Sequence, residues 1–349
     1  LHDALPIYMP NFGNKFSVEA RQLIWKGGVV KNAVEIQNLK KDLSQLNYES
    51  NELNIKLLSA GYYLDLFKLY NQEKVYHKNI ELAQERLDNI NKFYKQGMVT
   101  RNDVIRGELQ LSNLKLALQV VQNNQSILNK QLTVALGLDE GVKIIPDESI
   151  VIESLEILPL ASYYGDLVNH PTIKQTEKAV DIYAVSEKIS RSDMMPSLSA
   201  FAGNTLQRPI TTSNPAMDMY TNGWSAGLSL NFNIDALFKA PKKIQLNRLE
   251  KEKAIRQSNE VSEMMKVAVN AAYIKYNEAL AQNNTLKVNK DLTAENYRIM
   301  ESKYNNQLAI LLDLIDASNA KLDAELQFAN SEINIVFAYY KLLKEAGTL

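Results

Sequence analysis

Tyr-Asn-Asn-Gln-Leu-Ala-Ile-Leu-Leu-Asp-Leu-Ile-Asp-Ala, residues 304 to 317, joins one very long helical pattern to a second. It has a twin upstream, Tyr94 to Gly107, reading Tyr-Lys-Gln-Gly-Met-Val-Thr-Arg-Asn-Asp-Val-Ile-Arg-Gly. A constant offset of 210 residues carries Tyr94 onto Tyr304 and Asp103 onto Asp313. The same offset carries Tyr63 onto Tyr273 and Gly137 onto Gly347. A gap-free register between such distant points marks a tandem duplication.

Outward from the first copy, the pattern from Val30 to Tyr94 is helical. Leu39, Leu43, Leu46, Leu53, Leu57, Ala60, Leu64 and Phe67 fall at alternating four-and-three spacing, with Ser50 in the one gap. Tyr76, Ile80, Ala83, Leu87, Ile90 and Tyr94 resume the spacing after a phase shift near Asn71. This is a coiled-coil seam. At about 1.5 Å per residue it predicts a rod of roughly 100 Å. Gly97 ends it, Thr100 or Asn102 caps the return helix, and Gly137 stops that helix after Leu136. The first hairpin is thus 30–136. The second is 242–345, with its turn at Gln307 and its stop at Gly347.

Three stretches alternate with period two and read as strands: 15–25, 197–206 and 223–234. In the last, Trp224, Ala226, Leu228, Leu230, Phe232 and Ile234 form one face. Ser225, Gly227, Ser229, Asn231 and Asn233 form the other. An apolar face opposite a small polar one suits a membrane barrel strand; taken alone it reads more simply as one strand of a soluble sheet, and the flanking rods shift the balance. His170-Pro171 opens a further helix, 171–194, and 139–168, with Pro146 and Pro159, reads as an irregular connector. The chain therefore divides into a first repeat (8–138), the connector and a second repeat (169–349). Leu1 to Ile7 reads as a non-native scar, with the true start of the chain upstream.

Composition excludes much. Net charge is −1, so there is no basic field for nucleic acid. No cysteine is present, and His2, His77 and His170 are not at metal-ligand spacing. Phosphate loops, dinucleotide fingerprints and nucleophile elbows are missing, which points away from an enzyme and from any cofactor. No apolar run is long enough for a transmembrane helix. Asp313 and Asp316, at i and i+3, share a helix face. They read either as capping or solvated carboxylates near a helix start, or, if copies surround an axis, as rings of negative charge.

With these features the chain resembles the TolC-like outer-membrane efflux channel family. The resemblance rests on the duplicated strand–helix–turn–helix order, Tyr304 followed by Leu-Leu-Asp-Leu-Ile-Asp-Ala (311–317), and Gly97-Met-Val before Asp103-Val. Leu237-Phe238 after the third strand and the terminal Ala-Gly-Thr-Leu (346–349) add to it. It implies a mainly α fold of long antiparallel helices forming a tunnel, with β-barrel strands in the outer membrane of a Gram-negative bacterium. It implies a homotrimer with four strands per subunit, three of them in this chain and one upstream. It further implies passive efflux or secretion through that duct, with a periplasmic adaptor and an inner-membrane transporter docked at the tip. Trp224, Leu228, Leu230 and Phe232 would face lipid. Asp313 and Asp316 would ring the narrow end, and Tyr304 with Asp103 would help hold it shut. The family's lock arginine is replaced here by Ala309, which makes Arg101 the candidate substitute. A periplasmic coiled-coil adaptor or a scaffold protein is the competing reading.

Overall fold

Three helix ends repeat at the offset read from the sequence. In the computed structural model, β1 is Asn14–Trp25, α1 Val29–Lys95 and α2 Arg101–Leu136. After these come α3 (Leu160–Asp166), α4 (Pro171–Ser192), β2 (Ser197–Arg208), β3 (Thr221–Asn231), α5 (Ala236–Asn305) and α6 (Leu311–Ala346). Adding 210 to the end of α1 and to both ends of α2 gives the end of α5 and both ends of α6. The structure describes residues 12–139, 141–147, 155, 157–212 and 216–349. The stretch read as a scar and part of the connector lie outside them.

The chain forms two compact units, one of residues 1–46 with 174–261, the other of 47–173 with 262–349. In the first unit the strands make an antiparallel sheet of order β1-β2-β3. Val18, Asn204 and Trp224 lie side by side in the register, as do Ala20, Ala202 and Ala226, and Gln22, Ala200 and Leu228. Residues opposite one another point to one face. One face therefore carries Phe16, Val18, Trp224, Leu228 and Leu230. The other carries Glu19, Arg21, Ser225 and Ser229, with Phe201 lying across Gly227, where a Cβ would come within 3.1 Å of its ring. The apolar face is open: Trp224, Leu228 and Leu230 are 82, 69 and 72% exposed.

Two boundaries differ from the sequence reading by three residues or more. β3 stops at Asn231, because Asn231 pairs with Ser197, the first residue of β2, and the ladder has no further partner. Phe232 and Ile234 lie past it, still exposed. α5 starts at Ala236, six residues earlier than the 242 read from the sequence, and takes Pro241 inside it. The Asp235 carbonyl accepts from the Phe238 and Lys239 amides, so a helical turn is already closed before the proline. Pro241 sits in the second turn of α5, where it forfeits the bond to the Leu237 carbonyl.

In the second unit, Tyr163, Leu167, Ile173, Val269, Leu342 and Ala346 pack together around the end of α6. His170 is buried beside them. Its Nδ1 accepts from the Thr172 amide at 3.1 Å, and Nε2 lies 3.4 Å from the Lys344 carbonyl. Burial holds this imidazole below the usual histidine range. Leu64, Phe67, Ile333 and Val336 form another core between α1 and α6.

Candidate functional site

The two helical turns that the sequence singled out are built alike. At the end of α1, the Gly97 amide donates to the Tyr94 carbonyl (3.0 Å) and the Met98 amide to Phe93 (2.9 Å). At the end of α5, Gln307 donates to Tyr304 (2.9 Å) and Leu308 to Lys303 (2.8 Å). Both are Schellman closures, which need a left-handed residue after the helix. Gly97 supplies it at φ 72°; Gln307 supplies it at φ 60° without glycine's freedom.

The helix starts that follow differ in one respect. Thr100 and Asp103 cap reciprocally: the Asp103 amide donates to Thr100 Oγ1 (3.3 Å), and the Thr100 amide to Asp103 Oδ2 (2.8 Å). In the second copy the Ile310 amide donates to Asp313 Oδ2 (3.3 Å), but isoleucine has no acceptor to return the bond. Beneath both turns, Leu87, Ile90, Val104, Leu111, Leu114 and Leu311 form one buried core, with Val99, Tyr304 and Ile315 packed on it. Ile90, Val104 and Leu314 are wholly buried, each contributing about 2–3 kcal/mol. Gly107 lets α2 approach α1, since a Cβ there would meet Leu87 at 3.1 Å and Ile90 at 3.3 Å.

Tyr304 and Asp103 line the same cleft of about 300 Å3, with Phe93, Thr100, Ala309 and Ile310. The Tyr304 hydroxyl is buried and bonds no protein atom. Burial, then the Asp103 charge, push its pKa up, while the Arg86 charge opposes them. Tyr94, its twin, is largely exposed. Asp313 and Asp316 lie together, exposed, on a separate groove shared with Lys303, Met300 and Ala320. Arg101 pairs with Glu108 on its own helix at 3.6 Å.

A sequence profile of outer membrane efflux proteins matches residues 163–348, more than half of the chain. The chain belongs to the outer membrane efflux protein family. It is 19% identical over 338 residues to the outer membrane efflux protein BepC of Brucella suis, covering 95% of this chain and 72% of that one. Among solved structures it resembles VceC of Vibrio cholerae, with a TM-score of 0.78 at 13% identity, covering 96% of this chain and 86% of that one. It also resembles the CmeC outer membrane channel of Campylobacter jejuni, with a TM-score of 0.75 at 14% identity, covering 97 and 77%. At such identities the solved structures establish the fold: long helices with barrel strands. This efflux protein is an exit duct in the Gram-negative outer membrane, and its family is one of channels rather than enzymes.

The efflux protein carries a second polar assembly near the turns, which the sequence did not disclose. Arg86 is 8% exposed on α1 and reaches three other helices. It donates to Gln110 Oε1 on α2 (2.9 Å), Tyr297 Oη on α5 (3.0 Å) and Ser318 Oγ on α6 (3.2 Å). Tyr297 in turn donates to Glu301 Oε1 (2.7 Å). Lys321 sits 4.7 Å from the Tyr297 ring centroid, a cation–π contact. Burial and the Glu301 hydrogen bond raise the Tyr297 pKa above its usual value, while Arg86 opposes them. On a helical rod Arg86 reads as one more solvated charge, and no local signal in the sequence says otherwise.

Proposed function

We propose that the paired turns at Gly97 and Gln307 are the periplasmic tip of a gated, passive duct. In this reading a homotrimer encloses one bore. Within each subunit, 8–138 and 169–349 act as two repeats joined by the connector 139–168. A periplasmic adaptor and an inner-membrane transporter dock at the tip and supply the energy. The open sheet supports enclosure by several copies. β1 and β3 are its edges among the described residues, and unpaired edge amides are not tolerated in hydrocarbon, so further strands, from upstream and from other copies around an axis, must close the ring. Trp224, Leu228, Leu230 and Phe232 then meet lipid, and the serine-rich face meets water.

One observation carries the gate: Asp313 and Asp316 stand exposed on one groove while Tyr304 and Asp103 are drawn into a neighbouring cleft. Repeated around an axis, the exposed pair becomes a ring of carboxylates that attracts cations and repels anions. The half-buried pair, with Arg101 nearby on the surface, belongs to the packing that keeps the hairpins together. The test is the reversal potential of reconstituted full-length channels under a KCl gradient. Native channels should prefer K+, and D313N/D316N should lose most of that preference. An unchanged reversal potential would remove these carboxylates from the bore.

A further inference from the structure

We propose that the junction between barrel and helices binds anionic phospholipid headgroups of the periplasmic leaflet. The inference rests on the outer-membrane reading above and names a lipid for a surface of this chain. Its residues all lie in the first compact unit.

The apolar face of the sheet does not end with the ladder. Phe232 and Ile234 follow Leu230 in the same alternation and remain exposed. Leu237 and Phe238 open α5, Phe238 being 77% exposed, and Trp25 closes β1 at 47%. This is an apolar collar continuous with the lipid-facing surface. Directly around it the chain changes to lysine. Residues 25–31 and 232–243 hold Lys26, Lys31, Lys239, Lys242 and Lys243, with one carboxylate, Asp235. Lys26, Lys239 and Lys243 line one cleft of about 310 Å3 at the foot of the sheet, with Asp193 and Asp235. Asp193 answers two of these lysines, Lys243 at 2.7 Å and Lys26 at 3.7 Å. Lys239 pairs with Asp235. Among the described residues, Lys31 and Lys242 belong to no ion pair and are exposed.

Aromatic rings with lysines beside them suit the boundary between acyl chains and headgroups. Five ammonium groups against two carboxylates leave an excess of positive charge at that depth. Phosphate of an anionic lipid complements it. Zwitterionic headgroups do not.

The chain's two tryptophans are Trp25 and Trp224. In the register Trp224 lies beside Val18 and Asn204, towards the other end of the sheet, so only Trp25 stands at the collar. Full-length protein carrying W224F, with any tryptophan outside residues 1–349 replaced by phenylalanine, then reports the collar through quenching of Trp25 by brominated lipid once reconstituted into bilayers. Brominated phosphatidylglycerol should displace phosphatidylcholine from Trp25 with a relative association constant of about ten or more. In K31Q/K239Q/K242Q the ratio should fall to about one, and in K253Q/K266Q, farther along α5, it should stay at the native value. A native ratio of one overturns the proposal whether or not the triple variant folds. So does an undiminished ratio in the triple variant. If millimolar inorganic phosphate abolishes the preference, the site takes free anions, and the lipid assignment is wrong. Channel insertion and conductance in pure phosphatidylcholine, recorded alongside, separate these failures from a failure of the outer-membrane reading itself.

Discussion

Replacing Arg86 by methionine keeps a long apolar stem in place and removes the guanidinium that ties four helices together. Three acceptors then lose a charged donor: Gln110, Tyr297 and Ser318. Each such bond contributes about 1.5–3 kcal/mol, and the recovered desolvation of a buried cation offsets part of the sum. Gln110 retains a 3.3 Å contact with Asn319, and Tyr297 retains Glu301, which softens the loss further. A net cost of about 2–4 kcal/mol follows. At 1.4 kcal/mol per decade, local opening near the turns becomes about 30- to 1000-fold more frequent. Hydrogen exchange of the full-length protein reads this by region. Peptides spanning 86–111 and 297–318 should lose protection by that factor, while those around Leu342 should not change. Arg86→Lys should recover only part of it, because a lysine ammonium cannot present the guanidinium's planar fork of donors. Native protection in Arg86→Met would show that the assembly is an incidental packing of polar groups.

Other consequences are quicker to check. Gly137 and Gly347 both close helices at positive φ, but a Cβ at Gly137 meets nothing within 4 Å, while one at Gly347 falls 2.8 Å from His170 Cδ2. Gly137→Ala should cost about 1–2 kcal/mol from the backbone alone, and Gly347→Ala clearly more, measured by thermal or urea unfolding. His170 titrates below its unfolded value, so its contribution to stability is complete above about pH 6.5 and is lost as pH falls through the folded pKa. The apparent melting temperature should drop over that range, and His170→Asn should flatten the drop.

The features legible in the sequence are those fixed by neighbours along the chain. Schellman closures and caps involve residues three to six apart, so Gly97, Gly137, Gly347 and Asp103 announced their turns. Strand faces followed from period two, and the partner strands keep that alternation in register from Phe16 to Leu230. Strand ends were not legible in this way, because the ladder past Asn231 ends where β2 begins. Nor was the divergence of the copies visible in energetic terms. Thr100 and Ile310 occupy the same place, yet only one can complete a capping box. Arg86 illustrates the hardest class. Its partners lie 24, 211 and 232 residues away, and nothing in the spacing of one helix says that a charge faces three others.

Which face of β3 meets water decides most directly whether the sheet lines a bore. Residues 1–349 hold no cysteine, so once any cysteine elsewhere in the full-length protein is replaced by serine, single cysteines report one position each. With Ser225→Cys, a charged, water-soluble thiol reagent should step down the single-channel conductance of the reconstituted full-length protein. With Leu228→Cys it should leave the conductance unchanged, while a lipid-soluble maleimide labels that site. Block through Leu228→Cys with no effect at Ser225→Cys would turn the sheet inside out and contradict the duct described above.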